Sequence, residues 1–273
     1  YSIPMAISKL MAERIALKQY RNANKLFKGA LIYACIVGGI AALAAWFGGR
    51  FLLPAGGENA LLALKVLAPT IFLCAILGVL RGYFQAHGTM TPTSISQIIE
   101  QLINAIVSVG AAWLFIEWFA TTETEEAIYG AAGGTLGTGA GVLAGVLFML
   151  FVFYVNRKSI RKRVASDTSG VEDSYKDIFR TILLMVTPVI FSTCIYNLSS
   201  YLDQSFFAPI MMSNDWAADD INIQYGIFSG QYMVMINIPI ALANAASTAV
   251  LPSISGNFAT GNVTEARHKI NEA

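Results

Sequence analysis

The 273-residue chain is 55% hydrophobic and only 13% charged, with a formal net charge of +1. Soluble domains usually carry about 25% charged residues, so the composition excludes an ordinary soluble domain and predicts an integral membrane protein. The near-neutral net charge argues against a general nucleic-acid-binding protein.

We predict that residues 1–12 are the end of a membrane helix. We expect the sequence to begin partway along that helix. Residues 13–28 then form a charged, amphipathic segment. Six apolar runs follow, each at or above the ~20 residues that a spanning helix needs. They cover roughly residues 29–53, 61–84, 95–119, 128–155, 181–211 and 225–254. The pattern predicts an all-α integral membrane bundle with about six full transmembrane helices and the end of a preceding one.

Positive charge is concentrated in four polar segments that alternate with these runs. Sixteen of the eighteen Lys and Arg lie in them, including Lys9 and Arg180 at their edges. They are residues 13–28, the reversal after the second run, the stretch beginning NRKSIRKR after the fourth, and the tail. The other loops are mostly acidic, so the positive-inside rule places the four basic segments in the cytoplasm.

The reversal between the second and third runs, RGYFQAHGTMTPTSISQIIEQ at residues 81–101, is the most informative stretch. Gly82 punctuates it, and Pro92 suits the first turn of a new helix with Thr91 as its N-cap. Beyond the turn, polar side chains recur on one helical face: Gln97, Glu100, Gln101, Asn104 and Ser108. A polar face that carries a carboxylate is expected to line a protein interior or a wet cavity.

A row of glycines marks the fourth run. Successive i+4 spacing places four of them on one face: Gly133, Gly137, Gly141 and Gly145. The row predicts close packing against another helix, with a ligand-binding role as the alternative.

The longest polar linker, around DTSGVEDS, predicts a boundary between two lobes. Residues 1–166 would form the N-terminal lobe, residues 167–178 a cytoplasmic linker and residues 179–273 the start of the C-terminal lobe. A weak internal repeat agrees with this division, because residues 5–28 can be laid on residues 248–271. Three alanines then coincide: Ala6, Ala16 and Ala23 with Ala249, Ala259 and Ala266. Duplication of this kind is typical of transporters.

Asp203 is the sharpest candidate for ion chemistry, because an acid inside a spanning helix is rare. Tyr196, Ser199 and Ser200 lie one and two turns away on the same face. Together they could supply oxygen ligands to Na⁺ or hold a carboxyl that takes up H⁺. The alternative is a carboxylate near the outer interface that reaches water.

Other polar residues allow two interpretations each. Glu100 could bind an ion or substrate, or make a packing hydrogen bond between helices. Asn237 and Asn244 could line a cavity or support packing, and Arg81 could grip a phosphate or anchor a helix end. The cysteines fall in separate runs without CxxC spacing, which predicts buried free thiols and no metal site: Cys35, Cys74 and Cys194.

Enzymatic signatures are absent from the sequence. We find no HExxH, GxSxG or P-loop motif and no paired carboxylates at a plausible spacing. These absences favour a non-enzymatic membrane protein without a cofactor.

Three motifs carry a resemblance to a known family: PMAISKLMAE, RGYFQAHGTMTPTSISQIIEQ and IPIALANAASTAVLPSISGNFATG. They resemble the polysaccharide-transporter branch of the multidrug/oligosaccharidyl-lipid/polysaccharide exporter superfamily, in its stage V sporulation protein B and lipid II flippase (MurJ-like) group. The resemblance covers essentially the whole chain. It implies a MATE- and MurJ-like fold, in which two lobes surround a central cavity that opens to one side of the membrane at a time.

The same resemblance implies a multi-pass flippase of the bacterial cell membrane that moves an undecaprenyl-linked saccharide, with lipid II as one candidate. Its expected partners are the lipid-linked substrate and membrane lipid, with no nucleic acid, and its coupling ion is Na⁺ or H⁺. The residues expected at the substrate or cavity are Lys9, Arg81, Gln97, Glu100, Gln101, Asn104, Asn237 and Asn244. The first alternative is a cation-coupled multidrug exporter with a smaller, more aromatic cavity. A membrane-embedded glycosyl transferase or ligase and a non-transporting sporulation scaffold are further alternatives.

Overall fold

A computed structural model describes residues 2–53, 58–167, 169–170 and 173–272. Within these ranges the protein is built of helices and contains no strand. The helices are α1 (Ser2–Ala16), α2 (Tyr20–Leu52), α3 (Leu61–Ala86), α4 (Thr91–Phe119), α5 (Glu123–Ala165), α6 (Tyr175–Ser213), α7 (Ala218–Ile227), α8 (Met233–Ala259) and α9 (Val263–Glu272). A single π-helical turn, Phe228–Tyr232, makes α7 and α8 continuous.

Among the described residues, six helices are long and apolar enough to cross a membrane, as predicted. They are α2, α3, α4, α5, α6 and the continuous segment Ile223–Ala259. The chain is therefore a multi-pass membrane protein.

Two predicted boundaries were wrong. The basic stretch NRKSIRKR is not a loop, because α5 continues through it to Ala165. Lys and Arg are good helix formers, and their charges are favourable near a helix C-terminus. The reversal before α4 is also shorter than predicted, because α3 continues two residues beyond the expected end, to Ala86, and α4 begins at Thr91 instead of about residue 95. Met90, not Thr91, occupies the N-cap position of α4, and it makes no side-chain capping hydrogen bond.

The amphipathic segment 13–28 is divided between two helices. Lys18 adopts a positive φ of 58°, so the chain turns there between the end of α1 at Ala16 and the start of α2 at Tyr20. The turn buries the apolar faces of both helices in one core.

That core lies where α1, α2, α3, α5 and the start of α6 meet, at the end of the bundle that carries the basic segments. The charge distribution predicts that this end is cytoplasmic. The fully buried large side chains of the core are Ile7, Met11, Leu80, Met149 and Ile182. An aromatic cluster continues it, with the rings of Phe27 and Tyr83 4.6 Å apart and those of Phe27 and Phe153 5.4 Å apart. Aromatic pairs at such distances add to the stabilisation from burial.

The glycine row on α5 packs against α4, as predicted. A Cβ on Gly133 would lie 2.6 Å from the Ala111 backbone, and one on Gly137 would lie 2.1 Å from Ser108 Oγ. At Gly141 it would lie 2.5 Å from the Glu100 carbonyl oxygen. Only the absence of side chains lets the two backbones approach this closely.

The weak internal repeat corresponds to a repeated turn. α1 ends at Ala16 and α8 at the aligned Ala259, and each is followed by a positive φ, 58° at Lys18 and 80° at Gly261. Four backbone hydrogen bonds have aligned donors and acceptors. They are Leu17→Glu13, Lys18→Ile15, Gln19→Arg14 and Ala23→Gln19 in the first turn, and Thr260→Gly256, Gly261→Phe258, Asn262→Asn257 and Ala266→Asn262 in the second. The sequence identities therefore mark a shared local structure.

The four basic segments lie at one end of the molecule, as predicted. Arg14 forms a 2.9 Å ion pair with Asp173, which joins the first segment to the linker before α6. Arg163 of α5 and His87 of the α3–α4 turn border one small pocket, and Gly256 of α8 approaches Ala16. The outer part of α6 and most of α8 are exposed, in contrast to this packed end.

The predicted burial of the cysteines was wrong. Cys35, Cys74 and Cys194 are free thiols, as expected, but all three are exposed. They lie near the middle of α2, α3 and α6, where the helix surfaces face either a cavity or the surroundings of the bundle.

Candidate functional site

A central hollow lies between α3 and α4 on one side and α6 and α8 on the other. It consists of two adjoining cavities, which we call the polar chamber and the apolar chamber. The polar chamber, of about 730 Å³, is bordered by α1, α3, α4 and α8. The apolar chamber, of about 600 Å³, is bordered by α1, α2, α3, α6 and one residue of α4. Pro4, Arg81 and Glu100 line both chambers and so mark their junction.

An ion pair occupies this junction. Arg81 Nη2 lies 2.7 Å from Glu100 Oε2, with 12% of the arginine side chain and 19% of the glutamate side chain exposed. Arg81 Nε also donates a 2.9 Å hydrogen bond to Ser96 Oγ. Because both charges are largely withdrawn from water, each strongly depends on the other for its stabilisation.

Local structure fixes the position of this pair. Antiparallel helices joined by the short turn after Ala86 bring the end of α3 against the first turns of α4. The Ser96 hydroxyl donates to the Thr93 carbonyl oxygen at 2.7 Å, which orients its oxygen towards Arg81. Gly145 of α5 makes room, since a Cβ there would lie 3.6 Å from Glu100 Oε2 and 3.7 Å from Arg81 Nη2.

The polar stripe on α4 is divided between two environments. Asn104 and Ser108 face α5: Ser108 Oγ lies 2.8 Å from Asn104 Oδ1 and 2.8 Å from the Gly134 carbonyl oxygen. Gln97 and Gln101 line the polar chamber, beside Glu100. The structure therefore brings Gln97, Glu100 and Gln101 together at the hollow, whereas Asn104 is used in helix packing.

Two further residues of the polar chamber were missed by the sequence analysis. Gln85 and Thr93 are each 4% exposed and line the chamber, and neither Gln85 Oε1 nor Thr93 Oγ1 has a hydrogen-bond partner within the described ranges. Burying a polar atom without a partner is unfavourable, so both atoms are suited to a hydrophilic ligand. In the sequence, the signal that could have indicated these two residues is their position on either side of the α3–α4 turn.

The remaining expected cavity residues lie elsewhere. On α8, the polar chamber is lined by Ala245, Thr248 and Ala249, while the backbone carbonyl of the half-buried Asn244 accepts a 2.7 Å hydrogen bond from Thr248 Oγ1. Asn237 is exposed two turns earlier, and Lys9 is half-exposed on α1 outside both chambers.

The residues expected to bind a cation share an exposed face of α6. Asp203, Ser199 and Tyr196 are all exposed, and Asp203 makes no hydrogen bond or ion pair with any described residue. The side chain of Ser200 lies outside what the structure describes. No group of three or more metal-ligating side chains occurs among the described residues.

The linker before α6 is held against the α1–α2 turn. Asp167 accepts hydrogen bonds from Ser169 Oγ at 2.6 Å, from the Arg21 backbone N–H at 2.7 Å and from the Ser169 backbone N–H at 2.8 Å. These bonds lower the pKa of Asp167 below its ordinary value, with the Ser169 hydroxyl as the largest cause. Asp173 donates its backbone N–H to Asn22 Oδ1 at 2.9 Å. Asp167 and Asp173 therefore both bond to the first residues of α2, and Asp173 also pairs with Arg14 of α1.

Comparison with known families identifies this architecture. Residues 1–258 match the family described as polysaccharide biosynthesis protein. The chain belongs to this family. The match spans α1 to the end of α8 and so includes both chambers of the hollow. The resemblance drawn from the three motifs is thereby confirmed.

Two curated proteins of Bacillus subtilis (strain 168) are similar to this chain. Stage V sporulation protein B is 28% identical over 287 residues, covering 100% of this chain and 51% of the relative. Lipid II flippase MurJ is 23% identical over 287 residues, covering 98% of this chain and 50% of the relative. The chain spans about half the length of the curated relatives it matches. No solved structure matches it.

Proposed function

We propose that the protein is a flippase that moves an undecaprenyl-linked cell-envelope saccharide, with lipid II as the first candidate, across the bacterial cytoplasmic membrane by alternating access. The observation that carries the proposal is the Arg81–Glu100 ion pair at the junction of a polar and an apolar chamber. Membership of the polysaccharide biosynthesis protein family and the similarity to a lipid II flippase support it.

The two chambers match the two parts of such a substrate. Guanidinium groups bind phosphates through paired, charge-assisted hydrogen bonds, so Arg81 can hold the diphosphate. Gln85, Thr93 and Gln97 offer hydrogen-bonding groups to sugar hydroxyls in the polar chamber. The apolar chamber borders the same arginine and is suited to the first part of the lipid chain.

We expect Glu100 to help release the substrate during the transport cycle. In the structure it neutralises Arg81, and an arriving diphosphate would take its place. Since both anions compete for one cation, the substrate is held weakly enough to leave after the hollow has opened to the other side. No covalent intermediate is needed, because transport requires only different affinities in the two conformations.

Coupling to a Na⁺ or H⁺ gradient is part of this proposal. Asp203 is the candidate residue, since it is an exposed acid without a partner among the described residues, in a helix that borders the hollow. Protonation or cation binding there would favour the conformation in which the exposed face of α6 is covered. An Asp203→Asn variant should therefore transport at a rate that no longer responds to the gradient.

The test is translocation of labelled lipid-linked precursor in vesicles that contain the full-length protein, with and without a Na⁺ or H⁺ gradient. Arg81→Gln should reduce translocation strongly, whereas the matched change Arg50→Gln at the exposed outer end of α2 should leave it unchanged. Equal rates in Arg81→Gln and the unmodified protein would overturn the proposal.

The multidrug exporter is not favoured by the structure. It predicts a small aromatic cavity without a phosphate-binding cation, but the hollow contains Arg81, and Tyr33 is its one aromatic side chain within the described ranges. Transport of a lipophilic cation by vesicles that do not move the precursor would decide for the exporter. Transfer of the sugar to an acceptor, without translocation, would decide for a glycosyl transferase.

A further inference from the structure

A second cavity opens on the other side of the bundle, between the start of α2 and the end of α5. Its volume is about 730 Å³, and it shares no lining residue with either chamber of the central hollow. The Phe27–Phe153 stack separates it from the core. We call this cavity the basic groove.

Four cations line the basic groove: Arg21, Lys28, Arg157 and Arg161. Among the described residues that line the groove, none has an acidic side chain. Lys28, Arg157 and Arg161 are exposed and form no ion pair with any described residue. The positive charge of these three exposed side chains favours an anionic ligand.

The groove changes from apolar to cationic along α5. Leu150 and Tyr154 are 45% and 58% exposed, and Arg157 follows one turn later with its guanidinium carbon 4.0 Å from the centre of the Tyr154 ring. Arg161 lies a further turn towards the end of the helix. A tyrosine between an apolar surface and a row of cations is typical of a membrane–water interface.

A soluble anion would use only one end of this groove. Phe151 and Val155, which are 63% and 60% exposed on the same part of α5, extend the apolar surface beside it. An occupant that contacts both the cations and this surface needs a negative headgroup joined to hydrocarbon. Basic pockets between helices on the cytoplasmic side suit such lipids.

We propose that the basic groove binds the headgroup of an anionic phospholipid of the inner leaflet, with a phosphodiester on Arg157 and Arg161 and an acyl chain along Leu150 and Tyr154. The lipid would bridge α2 and α5. It would lie beside Val164 and Ala165, the last turn before the linker that Asp167 fastens to α2.

The test uses purified full-length protein in detergent, with phosphatidylglycerol as the probe and native mass spectrometry to measure bound lipid. Two cations near a membrane surface contribute about 1 kcal/mol each, so Arg157→Gln/Arg161→Gln should weaken binding on the order of 10- to 30-fold. The matched control is Lys158→Gln/Lys162→Gln, which removes two exposed charges from the same helix outside the groove and should retain the affinity.

Competition measurements show whether the bound anion is a lipid headgroup or a free phosphate. Soluble glycerol phosphate should compete weakly, and phosphatidylcholine should not compete. Equal weakening in both double variants would overturn the proposal in favour of bulk electrostatics. Full competition by glycerol phosphate would overturn it in favour of a free phosphate site. If the Arg157/Arg161 variant does not fold, Lys28→Gln against Lys158→Gln compares one exposed lysine inside the groove with one outside it.

Discussion

The two ends of the polar stripe on α4 have opposite environments. At Asn104 and Ser108, glycines of α5 bring the two backbones into contact, and the polar groups bond to their neighbours. One or two turns away, Gln97 and Gln101 line the polar chamber and Glu100 pairs with Arg81. The difference teaches that one periodic pattern can both join helices and line a cavity. Each side chain takes its role from what it faces, which is α5 for Asn104 and Ser108 and the polar chamber for Gln97 and Gln101.

The largest effect is expected where the stripe is packed. In Gly137→Ala the new Cβ would lie 2.1 Å from Ser108 Oγ and 2.4 Å from the Ser108 backbone nitrogen. Overpacking of this severity costs about 3 kcal/mol or more, so the protein should lose most of its thermal stability in detergent. Gly134→Ala is the control, because a Cβ there meets nothing within 4 Å, and it should be neutral or slightly stabilising. Equal melting temperatures for the two variants would contradict the close packing of α4 against α5 described above.

The next effect separates stability from transport at the ion pair. Arg81→Gln leaves Glu100 half-buried without its partner, so both the melting temperature and translocation should fall. Arg81→Gln/Glu100→Gln should recover the melting temperature and still translocate about 10- to 100-fold more slowly, which is the loss of a charged hydrogen bond to the diphosphate. If the double variant recovers both transport and stability, the Arg81–Glu100 pair has only a structural role, and binding of the diphosphate by Arg81 is contradicted.

A smaller effect distinguishes the two ends of the stripe directly. Asn104→Ala should lower stability by about 1 kcal/mol and leave translocation unchanged, because it removes one of the two acceptors of the Ser108 hydroxyl and the side chain that packs beside Gly141. Gln97→Ala should leave stability unchanged and slow translocation about 2- to 10-fold, the value of a neutral hydrogen bond to substrate. Measuring melting and translocation for both variants would show whether the stripe is divided at Glu100, and a reversal of the two results would contradict it.

The smallest effect is expected at the turn that joins the two helices of the hollow. His87 Nδ1 donates to the Tyr83 carbonyl oxygen at 2.9 Å, and burial lowers the pKa of His87 below its ordinary value. The unfolded chain then binds more protons, so stability should fall as the pH drops through about 6.5, the ordinary pKa of histidine. His87→Asn should lose this part of the pH dependence between pH 7.5 and 5.5. Parallel melting curves for the two proteins would contradict the assignment.

The spanning helices could be predicted because a membrane helix needs a long apolar run, and each run is visible in the sequence. Close packing along Gly133, Gly137 and Gly141 followed from spacing alone. The extension of α5 was missed because charge was taken as a sign of a loop, although Lys and Arg favour helices.

The site was less predictable because its contacts lie between helices. The pairing of Arg81 with Glu100 and the space at Gly145 depend on how far α3, α4 and α5 are shifted along one another. Gln85 was assigned to a polar reversal, yet α3 continues past it. The exposure of Asp203 depends on which helices cover α6, and periodicity cannot give this information.

The proposed function requires that the hollow admit water when it is empty and the precursor when it is loaded, and the native cysteines test this most directly. Cys74 and Cys194 line the apolar chamber, whereas Cys35, at a similar depth on α2, does not. Single-cysteine variants in membrane vesicles would be treated with a small charged thiol reagent, and the labelled fraction of each would be measured. We predict that Cys74 and Cys194 react and are protected by the lipid-linked precursor, while Cys35 stays unlabelled. Equal labelling at all three positions, or none at any, would contradict a water-filled substrate path.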